Sequence, residues 1–363
     1  MRRTLKEQVA GNGTSFTRII CTVAFLIFTF CFLYFYQADI LAAEQHVLSE
    51  GKTHYSPLIG AVLITLVLYL VHLGVYALTG LYKRAHALTY FPSLLALTVL
   101  TGVGIHEDGC SIGHWIWVAP LLLVAYGVIV SMMRKYQPYE QAMNSMGPFS
   151  RMTWVNLLTM AVMFLFVGIF SNNDDVFHYR MKMESCLKDG KYKEALKVGK
   201  KSRVSDPSLF LLRAFALSKT NSLGDHLFTY PTTSGSHALL PDDRHSSTLM
   251  FPEMDIKRFA STKAADDYRL CAYLLDKDLV SFAKSVRKCY DLKSPDLPKH
   301  YREALTLYTH KSANPLVSYH SNVLDADYED FLKLGKSVSD KQQQENVVRD
   351  TYGNTYWFYY FYH

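Results

Sequence analysis

The sequence predicts an all-α protein in two parts: a bundle of five transmembrane helices, then a soluble domain of helical repeats. Two observations carry this expectation. Five long apolar stretches fill the first 171 residues, and none occurs afterwards. Beyond them, apolar residues recur at spacings of three and four, the helical period, without the alternation of a strand. The expected organisation is a cytoplasmic tail (1–18), a transmembrane domain (19–171), a helical-repeat domain (172–352) and an aromatic tail (353–363).

The apolar stretches are Ile19–Tyr36, Leu58–Leu78, Ala87–Ile105, Trp115–Met133 and Val155–Phe170. A helix rises 1.5 Å per residue, so about 20 residues cross a hydrocarbon core of roughly 30 Å. A bilayer offers the backbone no partners, and a helix satisfies itself. The first stretch follows Arg2, Arg3 and Lys6, as a signal peptide would. It is long and aromatic, however, and no small-x-small site follows at once, so it reads as an uncleaved helix.

Basic residues fall in alternate loops. Arg2, Arg3, Lys6 and Arg18 precede the first stretch, Lys83 and Arg84 lie in the second loop, and Arg134, Lys135 and Arg151 in the fourth. The first loop carries Asp39, Glu44 and Glu50 against Lys52, and the third carries Glu107 and Asp108. This alternation predicts a cytoplasmic N-terminus and, after five crossings, a periplasmic C-terminal domain in a bacterial inner membrane. His72 is the one clear ionisable residue inside a stretch, which argues against a pump and reads as helix packing.

The net charge of +6 divides evenly, +3 for residues 1–171 and +3 for the rest, too little for a nucleic-acid partner. The six cysteines form no CxxC and no metal-ligand spacing. Cys21 and Cys31 lie in the first stretch, and Cys110, Cys186, Cys271 and Cys289 in segments expected outside. Cys271 and Cys289 fall on successive expected helices. They read as buried thiols on apolar stripes, a disulfide being the alternative. No cofactor and no metal is expected.

In the C-terminal part, Tyr268, Cys271 and Leu275 form one stripe. Leu279, Phe282, Val286 and Cys289 form a second, and Tyr301, Ala304, Leu305 and Tyr308 a third. Asp206-Pro207 is a cap followed by a first-turn proline, and Ser294-Pro295 and Pro298 precede another start. Gly190 followed by Tyr192–Leu196 has the form of a turn and the second helix of a helix–turn–helix repeat. Gly224 recurs 34 residues later, the tetratricopeptide period, and Tyr301–Leu305 echoes Tyr192–Leu196. An irregular helical bundle is the alternative. Between Tyr230 and Asp255 the pattern lapses into loop chemistry. That loop holds His237, Asp242, Asp243, Arg244, His245 and Glu253, a conceivable site. It reads first as a crossover packed by Leu239, Leu240, Met250 and Phe251. Seven of the last eight residues, Tyr356–His363, are aromatic, and would pack on the domain, rest at the bilayer surface or bind a partner.

With Gly190–Leu196, Leu211–Leu217, Leu223–Phe228, Leu239-Leu240-Pro241, Tyr301–Leu305 and Gly353–Trp357 in view, the chain resembles an uncharacterised family. It is a family of multi-pass inner-membrane proteins of Bacteroidetes type, in which a membrane region precedes a tetratricopeptide-like domain. The members compared are longer, so the resemblance implies a shortened version. It implies topology and fold, and no activity.

Two functions are expected in turn. The first is a membrane-anchored interaction scaffold that binds the lipid bilayer and an envelope protein partner, because helical repeats offer extended concave surfaces. No catalytic residue is assigned on that reading. The alternative is an envelope enzyme such as a lipid-linked glycosyltransferase, using Asp39 and Glu44 of the first external loop as metal ligand or base. His106, Glu107, Asp108, Cys110 and His114 of the third loop are metal-like in composition only.

Overall fold

A computed structural model describes residues 5–106, 109–137, 150–232, 235–242, 246–260, 265–338 and 340–363, with side chains from residue 15 onward. Arg2, Arg3, Glu107, Asp108, Asp243, Arg244, His245 and the Lys6 side chain, all singled out above, lie outside the described residues. The chain is mostly helical and divides into two compact units, Met1–Asp174 and Asp175–His363.

The first unit begins with α1 (Leu5–Cys31), which runs on through a π-helical turn (Phe32–Tyr36). The first loop is itself a helix, α2 (Ala38–Leu48), before α3 (Pro57–Thr79). A 3-10 segment (Lys83–Tyr90) then leads into α4 (Phe91–Thr101), a hairpin of β1 (Gly104–His106) and β2 (Gly109–Ser111), α5 (Trp115–Tyr136) and α6 (Arg151–Phe170). Among the described residues, four segments are long and apolar enough to cross a membrane: Ser15–Tyr36, Pro57–Thr79, Trp115–Tyr136 and Arg151–Phe170.

The third expected stretch, Ala87–Ile105, is not one long helix. Pro92 sits in the first turn of α4 and has no amide to donate back to the preceding turn, so the α-helix starts only at Phe91. The 3-10 segment and α4 together extend about 32 Å, at roughly 2.0 and 1.5 Å per residue. The hairpin also departs from an all-α fold. Gly109 adopts φ +145, open to glycine alone, and the antiparallel register pairs Ile105 with Cys110.

Side-chain contacts fix the registers in this unit. Thr17 and Thr153 hydroxyls meet at 3.1 Å, Phe28 stacks on Phe164 at 4.0 Å, and Gln37 donates to the Asn172 carbonyl at 3.2 Å. α1 and α6 therefore run in the same direction. Asn156 accepts from the Ala87 amide at 2.7 Å and donates to the Lys83 carbonyl at 2.8 Å, while Thr101 meets Ser171 at 2.7 Å. The 83–101 segment thus follows α6 from near its start to its end. α3 runs the other way. The Arg18 guanidinium lies 4.8 Å from the Tyr76 ring, and Ser93 donates to the Leu68 carbonyl. α5 does likewise, with Trp115 beside Phe170 and Arg134 donating to the Leu78 carbonyl at 3.3 Å.

The second unit opens with α7 (Asp175–Lys188), ended by Gly190 at φ +71. α8 (Tyr192–Ala195) is a single turn, not the full second helix that the repeat pattern predicts. Gly199, at φ +58, turns the chain beside the Tyr179 ring, where an added Cβ would come within 2.9 Å. α9 (Pro207–Lys219) starts as the sequence indicates, with Asp206 accepting from the Leu209 amide, and everything from Ser208 to Ser218 is buried. α10 (Leu223–His226) is again one turn. Gly224 is there for close approach, since a Cβ would meet Pro298 and the Tyr301 ring at 2.8 Å.

The long loop lies between α10 and α11 (Glu253–Ala260). Leu239, Met250 and Phe251 are buried, but Leu240 is 45% exposed. Buried Glu184 of α7 holds the loop by accepting from the amides of Leu249, Met250 and Phe251. Burial raises its pKa against those bonds and Arg180. α12 (Asp266–Leu275), α13 (Leu279–Cys289), α14 (Lys299–Lys311), α15 (Asn322–Lys336), α16 (Lys341–Tyr352) and α17 (Tyr356–Tyr362) follow, each packed on its neighbour in sequence. The three predicted stripes are buried except for half-buried Cys289, and Cys271 and Cys289 are free thiols. The aromatic tail is the helix α17. Tyr356, Trp357, Phe358 and Tyr359 enter the core, where Trp357 donates to the Glu303 carbonyl at 2.8 Å and Tyr359 to that of Leu275 at 2.7 Å.

Candidate functional site

Asp39 and Glu44 both lie on α2, five residues apart. At 100° per residue they diverge by about 140°, so one helix cannot aim both at a single point. Glu44 turns inward and is 7% exposed, its Oε1 without a partner among the described residues. Burial pushes its carboxyl up to about 7. Neighbouring Tyr55 is pushed up to about 12 by its own burial and then by Glu44, and the Cys110 thiol of β2 is raised for the same two reasons. The first and third loops are thus brought together, α2 packing on both strands of the hairpin. His106 and His114 stay exposed, and among the described residues no group of three or more His, Cys, Asp or Glu is arranged to hold a metal ion. Cys21 and Cys31 remain free thiols in α1.

His72 is buried and stacked on Tyr90, with ring centroids 3.6 Å apart, and Thr89 lies 3.2 Å from its Nδ1. His86, which the sequence reading passed over, is buried beside it at 6.0 Å. In the long loop, Asp242 bridges to Ser246, while Glu253 accepts from the Thr248 amide and pairs with Lys257 at 3.2 Å. Those groups serve the loop and the helix after it.

The second unit instead holds an open cleft of about 610 Å³. One wall is the loop that follows α8, the floor is Phe228–Thr232, and the far wall is the end of α16 with α17. The loop is clamped from beneath. Arg213 of α9, 1% exposed, donates to the Gly199 carbonyl at 3.2 Å and to Ser205 Oγ at 3.3 Å. Its guanidinium lies 5.0 Å from the Tyr230 ring, and Tyr230 Oη donates to the Leu196 carbonyl at 3.1 Å. Burial lowers the Arg213 pKa, with Tyr230, Asp206 and Tyr179 opposing.

Lys200, Lys201 and Arg203 are exposed on this clamped loop, and none forms an ion pair among the described residues. Arg349 faces them from α16. It pairs with Glu345 and lies 5.9 Å from the Phe358 ring. Among the described residues Asp350 is the one acidic side chain lining the cleft, and Phe228, Tyr230, Phe358 and Tyr359 provide aromatic surface. The cleft is therefore basic and aromatic, chemistry that suits an anion carrying apolar groups. The sequence does hold a signal for it, four basic residues in the seven from Lys197 to Arg203. Read alone, such a run is an ordinary solvated face.

A family of unknown function, DUF6057, matches residues 108–256 and 256–363. The chain belongs to this family. The match takes in the hairpin's second strand, α5, α6 and the whole second unit, including every residue of the cleft. No curated protein and no solved structure matches the chain.

Proposed function

We propose that the protein is a membrane-anchored interaction scaffold. On this reading the first unit crosses a bacterial inner membrane five times, the segment 83–101 being the third crossing. The N-terminus is cytoplasmic and the second unit periplasmic, as a divergent helical-repeat domain of tetratricopeptide kind in a protein of Bacteroidetes type. The registers above support the topology. Arg18, Lys83, Arg84, Arg134, Lys135 and Arg151 share one end of the first unit, and Asp39, Glu44 and Glu50 the other. The observation that carries the scaffold function is the cleft, whose clamped loop and aromatic floor are a binding surface.

Two experiments test this. A phosphatase fused after residue 175, active only outside the cytoplasm, is expected to be active; an inactive, well-expressed fusion refutes the topology. Crosslinking in native membranes is expected to capture a stable partner that is lost on deleting residues 172–363. Glu44 supports a second reading, an envelope enzyme such as a lipid-linked glycosyltransferase, because a carboxyl poised near neutrality suits general acid–base work. Glu44→Gln leaves partner capture and cellular phenotype intact if the protein is a scaffold. A lost phenotype at normal protein level favours the enzyme.

A further inference from the structure

We propose that the cleft between the loop after α8 and the α16–α17 wall binds an acidic peptide segment, a run rich in Asp or Glu within a partner protein. The inference rests on the scaffold reading and names the chemistry of its partner. Lys200, Lys201 and Arg203 lie within four residues on one wall, and Arg349 stands on the other. Among the described residues the first three form no ion pair, so an incoming anion displaces no internal partner. The Arg213 clamp holds the loop at Gly199 and Ser205, on both sides of the three cations. Their backbone is fixed before a ligand arrives, which lowers the ordering cost of binding.

Carboxylates fit this cleft better than a phosphate. Phosphate sites commonly use free amides at a helix N-terminus. At the N-terminus beside this cleft, that of α17, two amides are already taken: Tyr356 N donates to Glu303 Oε2 at 2.7 Å and Phe358 N to Thr355 Oγ1 at 3.2 Å. Charge spread over four loop residues and an opposite wall matches a ligand with charges spaced along its length. The aromatic floor and the extended Tyr230 backbone (φ −101, ψ 152) suit the intervening side chains and main chain of a peptide.

The test uses the full chain in nanodiscs of zwitterionic lipid and a fluorescein-labelled oligoglutamate peptide read by anisotropy. Wild type is expected to bind, and more weakly as salt rises from about 0.05 to about 0.5 M. The triple variant Lys200→Glu, Lys201→Glu, Arg203→Glu is expected to bind about tenfold more weakly or worse. Reversing exposed Lys284, Arg287 and Lys288 on α13 adds the same charge elsewhere and is expected to change binding by no more than about twofold. Equal losses in both triples reduce the effect to net charge and overturn the proposal. So does inorganic phosphate that competes as well as unlabelled peptide. So do vesicles of anionic lipid that bind through the three cations when the peptide does not. Crosslinking in native membranes separates this from the scaffold reading. A partner captured equally by wild type and the cleft triple, with no peptide binding, overturns the cleft and spares the scaffold. Peptide binding with no captured partner does the reverse.

Discussion

In the first unit, Leu63, Leu66, Leu121, Val124 and Ile169 are all more than half exposed, while Thr17, Thr98, Thr101, Thr153 and Asn156 are buried. In the second, Phe210, Leu212, Phe282, Leu305 and Trp357 are buried, and lysines such as Lys200, Lys201, Lys284 and Lys288 face outward. Both units are helical, so the backbone does not distinguish them. The surroundings do. On the membrane reading, lipid is as apolar as leucine, so nothing drives leucine inward, and helices associate through small residues and buried hydrogen bonds. In water the aromatic and aliphatic side chains supply the drive, and the polar groups they bury must be bonded.

That contrast can be broken in four places, the largest first. Trp357→Ala removes a 2% exposed ring from the core of the second unit and is expected to destabilise it by about 3–5 kcal/mol. Pulse proteolysis of the full chain in detergent, scored by cuts after residue 265, measures this. Unchanged protection would mean that α17 is no part of that core.

Glu44 probes the first unit through pH. Its folded pKa is raised from 4.5 to about 7, so the folded chain holds the proton more tightly than the unfolded chain. That stabilisation is complete below pH 4.5 and is lost as pH rises through about 7. The full change is about 3 kcal/mol. Thermal unfolding of the wild type in detergent should therefore weaken across this window, and Glu44→Gln should remove that part of the dependence. An identical pH profile in the variant rules Glu44 out as the source.

Asn156→Leu keeps the first unit apolar but removes the bonds to Ala87 N and the Lys83 carbonyl. Interhelical bonds in membrane bundles contribute about 0.6–2 kcal/mol each, and hydrogen exchange should rise along the 3-10 segment. No change there would show that packing alone holds that segment. The smallest effect is expected from Asp206→Ala. It removes the cap of α9 and the 3.3 Å pair with Arg180, a loss of about 1 kcal/mol seen as faster exchange in the first turn of α9. Exchange as slow as in wild type would show that burial alone fixes that helix start.

Much of the fold was legible because it follows from local chemistry. The stripes ending at Leu275, Cys289 and Tyr308, the Asp206-Pro207 start and the Gly190 stop are read from residues within a few positions of each other. The departures come from distant partners or from a single interrupting residue. Pro92 shortens α4, and Gly199, facing Tyr179, cuts off the helix that Tyr192–Leu196 begins. Gly224 carried the repeat period in sequence, yet its space is taken by Pro298 and Tyr301 more than 70 residues away.

The cleft shows the same division. The basic run Lys197–Arg203 is written in the sequence, as are the aromatic residues of the tail. Composition and periodicity alone decide that the chain has an apolar half and a helical half, because burial patterns and helix punctuation act over a few residues. Only the tertiary structure sets Arg213 beneath the loop, turns Glu44 away from Asp39, occupies the N-terminus of α17 with Glu303 and faces the loop's cations with Arg349. Each of these joins residues far apart in sequence or depends on which side of a helix meets a neighbour. A contact of that kind exists only after the chain has folded, so no local pattern encodes it.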